Sequence, residues 1–116
     1  MIQSPGFPYS SSAGTRCRFA VTTVPSKKIS IYFGSFWSSP YQETNCTTSY
    51  LKVYNGLSDT ADLLGDFCGR RTPPTLHSSG SNLYFDYVIG PEGYGKYAMS
   101  YVTSSATIQV LIVFYR

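Results

Sequence analysis

The side chains best suited to chemistry in this chain are three cysteines and a single histidine. His77 lies in a Ser-rich stretch where the sequence predicts a turn, and no second group can be named that would orient its ring. Cys17, Cys46 and Cys68 allow one disulfide and leave one cysteine over. Covalent catalysis needs a nucleophile, a base and a group that orients the base, and no such set is readable. We therefore predict no catalytic residue.

Two pairs of carboxylates could be read as the acid and base of a glycoside hydrolase. Asp59 and Asp62 form one pair, and Asp66 and Asp86 form the other. Such chemistry depends on a fixed separation between the two carboxyl groups, and nothing in the sequence fixes it. Solvated loop carboxylates explain these residues better, so the sequence predicts no enzyme and no cofactor.

Composition indicates one folded domain without a nucleic-acid partner or a membrane span. The 116 residues suit a single domain, and 42% of them are hydrophobic, which is close to the globular average. The net charge of +3 comes from scattered basic residues, whereas a nucleic-acid surface needs a dense basic stripe. The longest apolar run, 110–115, is far shorter than the about 20 residues that cross a bilayer.

Local sequence signals favour β-structure along the whole chain. Helical periodicity is nearly absent, and short runs rich in Tyr, Val, Thr and Phe alternate with clusters of Gly, Pro and Ser. This pattern is typical of an all-β sandwich or barrel. The Asn55-Gly56 dipeptide predicts a tight turn, and 83–88 with 96–102 look like one strand pair. The predicted strands are 17–24, 29–36, 50–54, 63–67, 83–88 and 96–102.

Several motifs occur in a fixed order along residues 2–101. The opening phrase Ile2-Gln-Ser-Pro-Gly-Phe-Pro precedes a strand that begins at Cys17, and Leu64-Gly-Asp-Phe-Cys-Gly follows later. In order and spacing, these motifs resemble those of the CUB domain family of extracellular β-sandwich modules. Further matching positions are Phe19, Val21, Ile31, Phe33, Phe36, Cys46, Tyr50, Leu51, Val53, Asn55, Gly56, Pro73, Pro74, Ser78, Ser79, Leu83, Tyr94 and Tyr101.

The resemblance implies an all-β, CUB-like jelly-roll β-sandwich of two antiparallel sheets. Residues 1–102 are expected to form the domain, shortened at its N-terminus, because the family usually begins earlier with one more strand and one more cysteine. Residues 103–116 are expected to form a Ser-rich linker and an extra apolar β-strand. That strand would fill the vacant sheet edge of its own domain or pair with a neighbouring chain through 108–115.

The same resemblance implies a disulfide between Cys46 and Cys68. They enclose about twenty residues, a loop whose closure contributes about 3 kcal/mol on the chain-entropy model. Cys17 would normally bond the missing first cysteine, so it is inert in the interior, left over in a fragment, or bonded to another chain. Small disulfide-linked domains belong outside the cell, which predicts a secreted or cell-surface location; buried thiols in a reducing compartment are the alternative.

Many members of the CUB family bind Ca²⁺ through three carboxylates. The matching positions in this chain hold Ser39, Ser49 and Gly90, so the negative charge that Ca²⁺ requires is missing. Glu43 and Glu92 lie nearby in the sequence but out of register. The resemblance therefore implies a member without a metal site.

The loops at one end of the sandwich hold the candidate binding residues. Trp37 and Tyr41 are assigned to a long polar loop around 38–48, Tyr94 lies in a Gly-rich loop, and Lys96 follows that loop. Trp and Tyr suit an interface because they bury a large area at a low entropic cost. The alternative is that these rings cap the core.

We expect an extracellular module that recognises a protein or a glycan through its end loops without calcium, in the adhesion and docking role that CUB domains serve. Asn45 begins an Asn-Cys-Thr sequon and is the candidate N-glycosylation site of such a glycoprotein. The alternative is a structural building block of an extracellular matrix or filament, joined through the apolar tail strand or through Cys17.

Overall fold

The computed structural model describes residues 2–42, 45–91, 93–103 and 110–115. These residues form nine β-strands and no helix, which confirms the all-β prediction. Within them, accordingly, no helix has the length and apolar character needed to cross a membrane. The strands are β1 (Ile2–Gln3), β2 (Arg16–Thr23), β3 (Ile29–Ser38), β4 (Tyr50–Tyr54), β5 (Leu63–Phe67), β6 (Leu76–His77), β7 (Asn82–Val88), β8 (Gly95–Thr103) and β9 (Val110–Tyr115).

The strands build two antiparallel sheets. The four-stranded sheet has the order β1-β8-β3-β6, and the five-stranded sheet has the order β5-β4-β7-β2-β9. Alternate side chains of β2 and β3 point between the sheets: Phe19 and Val21 of β2 are fully buried, as are Ile29 and Ile31 of β3. The predicted sandwich of two antiparallel sheets is therefore confirmed.

Aromatic rings fill much of the space between the sheets. Phe19 stacks on Phe85 with ring centroids 4.7 Å apart, and Tyr97 meets Tyr87 edge to face at 4.8 Å. The Tyr87 hydroxyl donates a hydrogen bond to Ser11 Oγ at 3.0 Å, whereas the buried Tyr97 hydroxyl has no partner among the described residues. The core also contains Ile2, Val21, Ile29, Ile31, Phe36, Leu51, Val53, Leu76, Leu83, Ile89 and Met99.

The prediction that 83–88 and 96–102 form one strand pair is wrong. β7 pairs with β4 and β2, whereas β8 pairs with β1 and β3, so the two strands lie in different sheets. Both strands bury large apolar side chains on one face, and a sandwich covers two such faces by stacking them from opposite sides. The connection between them crosses the end of the core, beginning at the buried Ile89.

The predicted tight turn at Asn55-Gly56 is also wrong. A longer loop, 55–62, joins β4 to β5 and is closed by a hydrogen bond from Asn55 N–H to Asp62 C=O at 2.8 Å. The Asn55 side chain binds a different loop: it donates to Ser79 Oγ at 2.6 Å and accepts from Ser79 N–H at 3.1 Å. This contact between distant loops overrides the local turn preference of the dipeptide.

Charged residues line up across the outer face of the five-stranded sheet. Asp66 of β5 lies opposite Lys52 of β4. Lys52 in turn lies opposite Asp86 of β7, which lies opposite Arg18 of β2. The signs alternate along this charge row, so every cross-strand pair in it attracts. Arg16, two positions before Arg18 on the same strand, donates to both carboxylate oxygens of Asp86.

The apolar tail forms a strand at the edge of the five-stranded sheet. β9 pairs antiparallel with β2 through six residue pairs, so the tail uses one of its edges within its own domain. Thr103, where the predicted linker begins, is the last residue of β8. The rest of that linker, 104–109, and with it the first two positions of 108–115, lie outside the described residues.

Candidate binding site

The loops of the sandwich gather at two ends. Backbone hydrogen bonds tie the loops of one end together, for example Gly14 N–H to Ile89 C=O at 2.9 Å and Ser38 N–H to Gly69 C=O at 2.8 Å. This end, which we call the disulfide end, carries the segments 4–15, 39–49, 68–75 and 89–94. The opposite end carries the segments 24–28, 55–62 and 78–81.

The structure contains the disulfide predicted between Cys46 and Cys68. Their Cα atoms lie 5.4 Å apart, and both residues are buried. The bond joins the 39–49 loop to the residue after β5, so it fixes one wall of the disulfide end. Cys17 takes no part in this bond; it lies in β2, partly exposed and packed against the core.

Hydrogen bonds between loops occupy the positions that the family resemblance assigns to calcium-binding carboxylates. The buried Ser49 Oγ accepts a hydrogen bond from Gly90 N–H at 3.0 Å. Ser39 Oγ accepts from Tyr94 N–H at 2.9 Å, and Ser39 N–H donates to Tyr94 C=O at 2.8 Å. The 89–94 loop is therefore joined directly to the chain that follows β3 and precedes β4.

Gly90 lies too close to its neighbours to carry a side chain. A Cβ atom at this position would lie 2.5 Å from the carbonyl oxygen of Thr48. A Cβ atom at Gly93 would likewise lie 2.9 Å from Ser49 Oγ. The close approach of the two loops thus requires glycine, and it excludes a carboxylate at position 90 without movement of the backbone.

Carboxylates, thiols and the imidazole do not gather into a metal site among the described residues. The described part of the chain contains no group of three His, Cys, Asp or Glu side chains that could hold a metal ion. Glu43 and Glu92 lie outside that part. His77 lies in β6 and not in the predicted turn, because pairing with β3 extends the backbone there. Its Nδ1 atom lies 2.9 Å from Ser30 Oγ.

The two carboxylate pairs occupy positions that suit solubility and sheet structure. Asp59 and Asp62 are exposed in the loop between β4 and β5. Asp66 and Asp86 stand on either side of Lys52 in the charge row, so two strand spacings of about 4.8 Å each separate their backbones. A cationic residue stands between them in the register, and Asp86 is bound by Arg16, which is a structural role.

Trp37, Tyr41 and Arg70 form a stack at the disulfide end. The ring centroids of Trp37 and Tyr41 are 5.5 Å apart, and the Arg70 guanidinium lies over the Tyr41 ring at 5.1 Å. Trp37 belongs to β3 and not to the predicted polar loop, because β3 pairs with β8 as far as its last residue. Its partner in that register is Lys96, so two of the predicted binding residues are neighbours across the sheet.

Three tyrosine rings of the disulfide end are exposed, one of them in the stack. Tyr9 is 79% exposed, Tyr94 is 52% exposed and Tyr41 is 47% exposed. Lys96 Nζ lies 5.7 Å from the ring of Phe7, which joins the N-terminal segment to the same surface. Rings that leave half of their surface in water contribute little to the core, so these tyrosines offer apolar area to a partner. Tyr9 was not predicted from the sequence, although the Phe7-Pro8-Tyr9 run that contains it was the available signal.

A groove of about 800 Å³ lies beside the stack. Its lining includes Tyr41, Phe67, Arg70, Arg71, Pro73 and Pro74. Neither arginine is among the binding residues predicted from the sequence. The adjacent Arg-Arg pair directly after the Cys-Gly motif was the signal that could have found them.

Comparisons with known proteins agree with this fold. The family model described as CUB domain matches residues 1–101. Human cubilin is 34% identical over 111 residues, which cover 95% of this chain and 3% of cubilin. Rat neuropilin-2 is 34% identical over 87 residues, which cover 74% of this chain and 9% of neuropilin-2. The chain thus spans only a small part of the length of these curated relatives.

A solved structure gives the same result at the level of the fold. The CUB1-EGF-CUB2 domain of human MASP-1/3 has a TM-score of 0.67 and 24% identity, over 87% of this chain and 40% of that chain. The family model covers nearly the whole sandwich, from β1 into β8, and includes both cysteines of the disulfide. The chain belongs to the CUB domain family.

Proposed function

We propose that this chain recognises an extracellular protein through its disulfide end and without calcium. Its family makes it an extracellular, protein-binding module, and the disulfide is consistent with that location. The observation that carries the finer proposal is that Ser49 binds Gly90, and Ser39 binds Tyr94, by direct hydrogen bonds. These bonds join the 89–94 loop to Ser39 and Ser49, as a bound cation would join loops through its ligands.

Loops joined in this way support recognition because they hold the exposed rings in place before a partner arrives. Tyr94 is fixed through both its N–H and its C=O, and Tyr41 is fixed through its C=O, which accepts from Arg70 N–H at 3.2 Å. A surface that is already ordered loses less conformational entropy on binding. Tyrosine and tryptophan side chains also lose little rotamer entropy for the area they bury.

The pairing of β9 favours a binding module over a matrix or filament building block. A filament joined through 108–115 requires strand pairing between chains, and β9 already pairs with β2 of its own chain. A link through Cys17 would have to reach a residue whose side chain is only partly exposed and packs against the core. Self-association through this strand would therefore have to use the outer edge of β9.

We also propose that Asn45 carries an N-linked glycan. Asn45 is exposed at the disulfide end, in the same loop as Tyr41. A sugar at this position would border the binding surface and add polar character to a chain with only 13% charged residues. Secretion from a eukaryotic cell, followed by mass spectrometry before and after enzymatic removal of N-glycans, tests this directly.

A binding screen with matched tyrosine variants tests the proposed function. The domain, tetramerised to raise avidity, is applied to an array of recombinant extracellular proteins in millimolar calcium and in chelator. The test variant carries Tyr41→Ala and Tyr94→Ala. The control is Tyr32→Ala, because Tyr32 is 44% exposed but lies on the outer face of the four-stranded sheet, away from the disulfide end.

We expect binding that is equal with calcium and with chelator. The double tyrosine variant is expected to bind at least about tenfold more weakly, since exposed aromatic anchors carry much of an interface's free energy, and the Tyr32 variant is expected to bind normally. Calcium-dependent binding would contradict the proposal, as would equal losses in both variants. Binding that disappears when the array is stripped of glycans would identify a sugar as the ligand instead of a protein.

A further inference from the structure

We propose that the partner presents an acidic peptide segment and that Arg70 and Arg71 receive its carboxylates. The inference rests on the proposed use of the disulfide end and adds the chemistry of the ligand. The segment is expected to combine Asp or Glu residues with an apolar side chain, because the groove beside the arginines is lined by both basic and apolar groups.

The position of Arg70 is fixed by its neighbours. Its guanidinium lies over the Tyr41 ring, and its backbone N–H donates to Tyr41 C=O. The preceding residue, Gly69, exchanges hydrogen bonds with Ser38: its C=O accepts from Ser38 N–H at 2.8 Å and its N–H donates to Ser38 Oγ at 2.9 Å. A guanidinium carries five N–H donors in a planar fork, so one that lies over a ring can also bind a carboxylate in bidentate fashion.

The charges around the groove favour an anion. Arg70 and Arg71 are both exposed, and within the part of the chain that the structure describes neither makes an ion pair. Asp66 also lines the groove and is the carboxylate among its described lining residues. The two arginines outnumber this carboxylate, so the described charged residues of the groove leave a net positive charge, which an acidic segment complements.

The apolar lining selects a peptide over a sulfated polysaccharide. Phe67, Pro73 and Pro74 contribute apolar surface to the groove, and Phe67 also packs against the core. A Leu or Phe side chain would bury this surface, whereas a polysaccharide has no comparable apolar group. Long anionic polymers are also bound by dense basic stripes, and the basic residues of this chain are scattered.

Fluorescence anisotropy with three labelled probes tests the inference. The first probe is a short peptide with one Phe flanked by Glu residues, the second is the same peptide with Gln in place of Glu, and the third is a heparin octasaccharide. The test variant carries Arg70→Gln and Arg71→Gln. The control variant carries Lys27→Gln and Lys28→Gln, which removes the same charge from the opposite end. Thermal melting establishes that both variants are folded.

We expect the Glu peptide to bind at least about tenfold more tightly than the Gln peptide, because each charge-assisted contact contributes more than a neutral one. The arginine variant is expected to lose this preference, and the lysine variant is expected to keep it. Equal binding of the Glu and Gln peptides would overturn the inference. Binding of the heparin fragment alone, or a preference that survives in the arginine variant, would overturn it as well.

The failure of this inference is distinguishable from failure of the proposed function. The first case is a protein from the array that needs Tyr41 and Tyr94 for binding and yet binds the arginine variant normally. That result would support binding through the disulfide end and would contradict only the acidic ligand. A partner whose binding is unchanged both by the variant with Tyr41→Ala and Tyr94→Ala and by the arginine variant would instead exclude the disulfide end as the binding surface.

Discussion

Arg16 binds Asp86 with two hydrogen bonds across neighbouring strands, from Nε to Oδ1 at 3.3 Å and from Nη2 to Oδ2 at 3.0 Å. The Asp86 side chain is only 8% exposed, whereas that of Arg16 is 53% exposed. The hydrogen bonds with Asp86, followed by the attraction between the charges, raise the pKa of Arg16. A nearly buried carboxylate on the outer face of a sheet is thus held by an arginine that reaches it from solvent.

Replacement of Asp86 by Asn is expected to lower the free energy of unfolding by about 1–2 kcal/mol, because the amide keeps only one of the two acceptor oxygens and loses the negative charge. Asp59→Asn is the matched control, since Asp59 is exposed in a loop and the substitution removes the same charge. Urea unfolding of the two variants measures the difference. Equal stability of the two variants would show that the pair contributes nothing.

Tyr97 and Tyr87 are expected to respond in opposite ways to removal of their hydroxyls. The buried Tyr97 hydroxyl has no hydrogen-bond partner among the described residues, so Tyr97→Phe is expected to stabilise the domain by about 1 kcal/mol. The Tyr87 hydroxyl donates to Ser11, so Tyr87→Phe is expected to destabilise it by a similar amount, about 1 kcal/mol. Thermal and urea unfolding check the signs, and two changes of the same sign would contradict this account.

Stability is expected to fall as the pH rises above 10. Burial raises the pKa of Tyr87 from 10.0 to about 12, against a lowering by its hydrogen bond with Ser11, and burial also raises the pKa of Tyr97. Between 10 and about 12 the unfolded chain loses these protons while the folded chain keeps them, so deprotonation favours unfolding. Urea unfolding across this range measures the slope, and the Tyr87→Phe, Tyr97→Phe double variant should reduce it.

Removal of the disulfide is expected to cost about 3 kcal/mol, the chain-entropy value for a loop of this size. Cys46 and Cys68 are separated by 22 positions in the sequence. The test variant carries Cys46→Ser and Cys68→Ser, and Cys17→Ser is the control because Cys17 lies outside the bond. Peptide mapping without reduction should recover only the 46–68 link from the unmodified protein; a link that includes Cys17 would contradict the structure.

Truncation after Thr103 is expected to destabilise the domain and to promote oligomers. The truncation removes β9, whose six residue pairs with β2 contribute about 2 kcal/mol or more, and it exposes the β2 edge to other chains. Removal of Arg116 alone is the control. Melting temperature, light scattering and amide exchange across β2 measure the effect, and unchanged exchange in β2 would mean that β9 does not protect it.

Alternation and motif order were enough to predict the sandwich, but not how its sheets are assembled. Phe19 and Val21 are large apolar residues two positions apart, with Arg18 and Thr22 on either side of them, so their common inward face follows from the strand period. The separation of β7 from β8 into different sheets depends on which apolar faces meet across the core, and a local pattern does not contain that information. The two-residue strands β1 and β6 were missed because so short a strand has no period of its own.

The candidate site was predicted only in part, for a related reason. Tyr41 and Tyr94 were selected because aromatic residues in loops are often binding residues. Arg70 and Arg71 were not selected, because their suitability for binding depends on the Tyr41 ring that Arg70 lies over and on the groove that both arginines line. Such relationships join residues from different loops, and the fold creates them.

In the charge row across β5, β4, β7 and β2, the sign of the charge tolerated at one position depends on the signs at the neighbouring positions. An acidic residue in place of Lys52 would stand between Asp66 and Asp86 and repel both. The alternation of charge signs is restored only when the neighbouring residues also reverse sign. A sequence with the replacement at position 52 alone is therefore expected to be less stable. In a collection of related domains, the sign of the charge at position 52 is therefore expected to covary with the signs at positions 66 and 86.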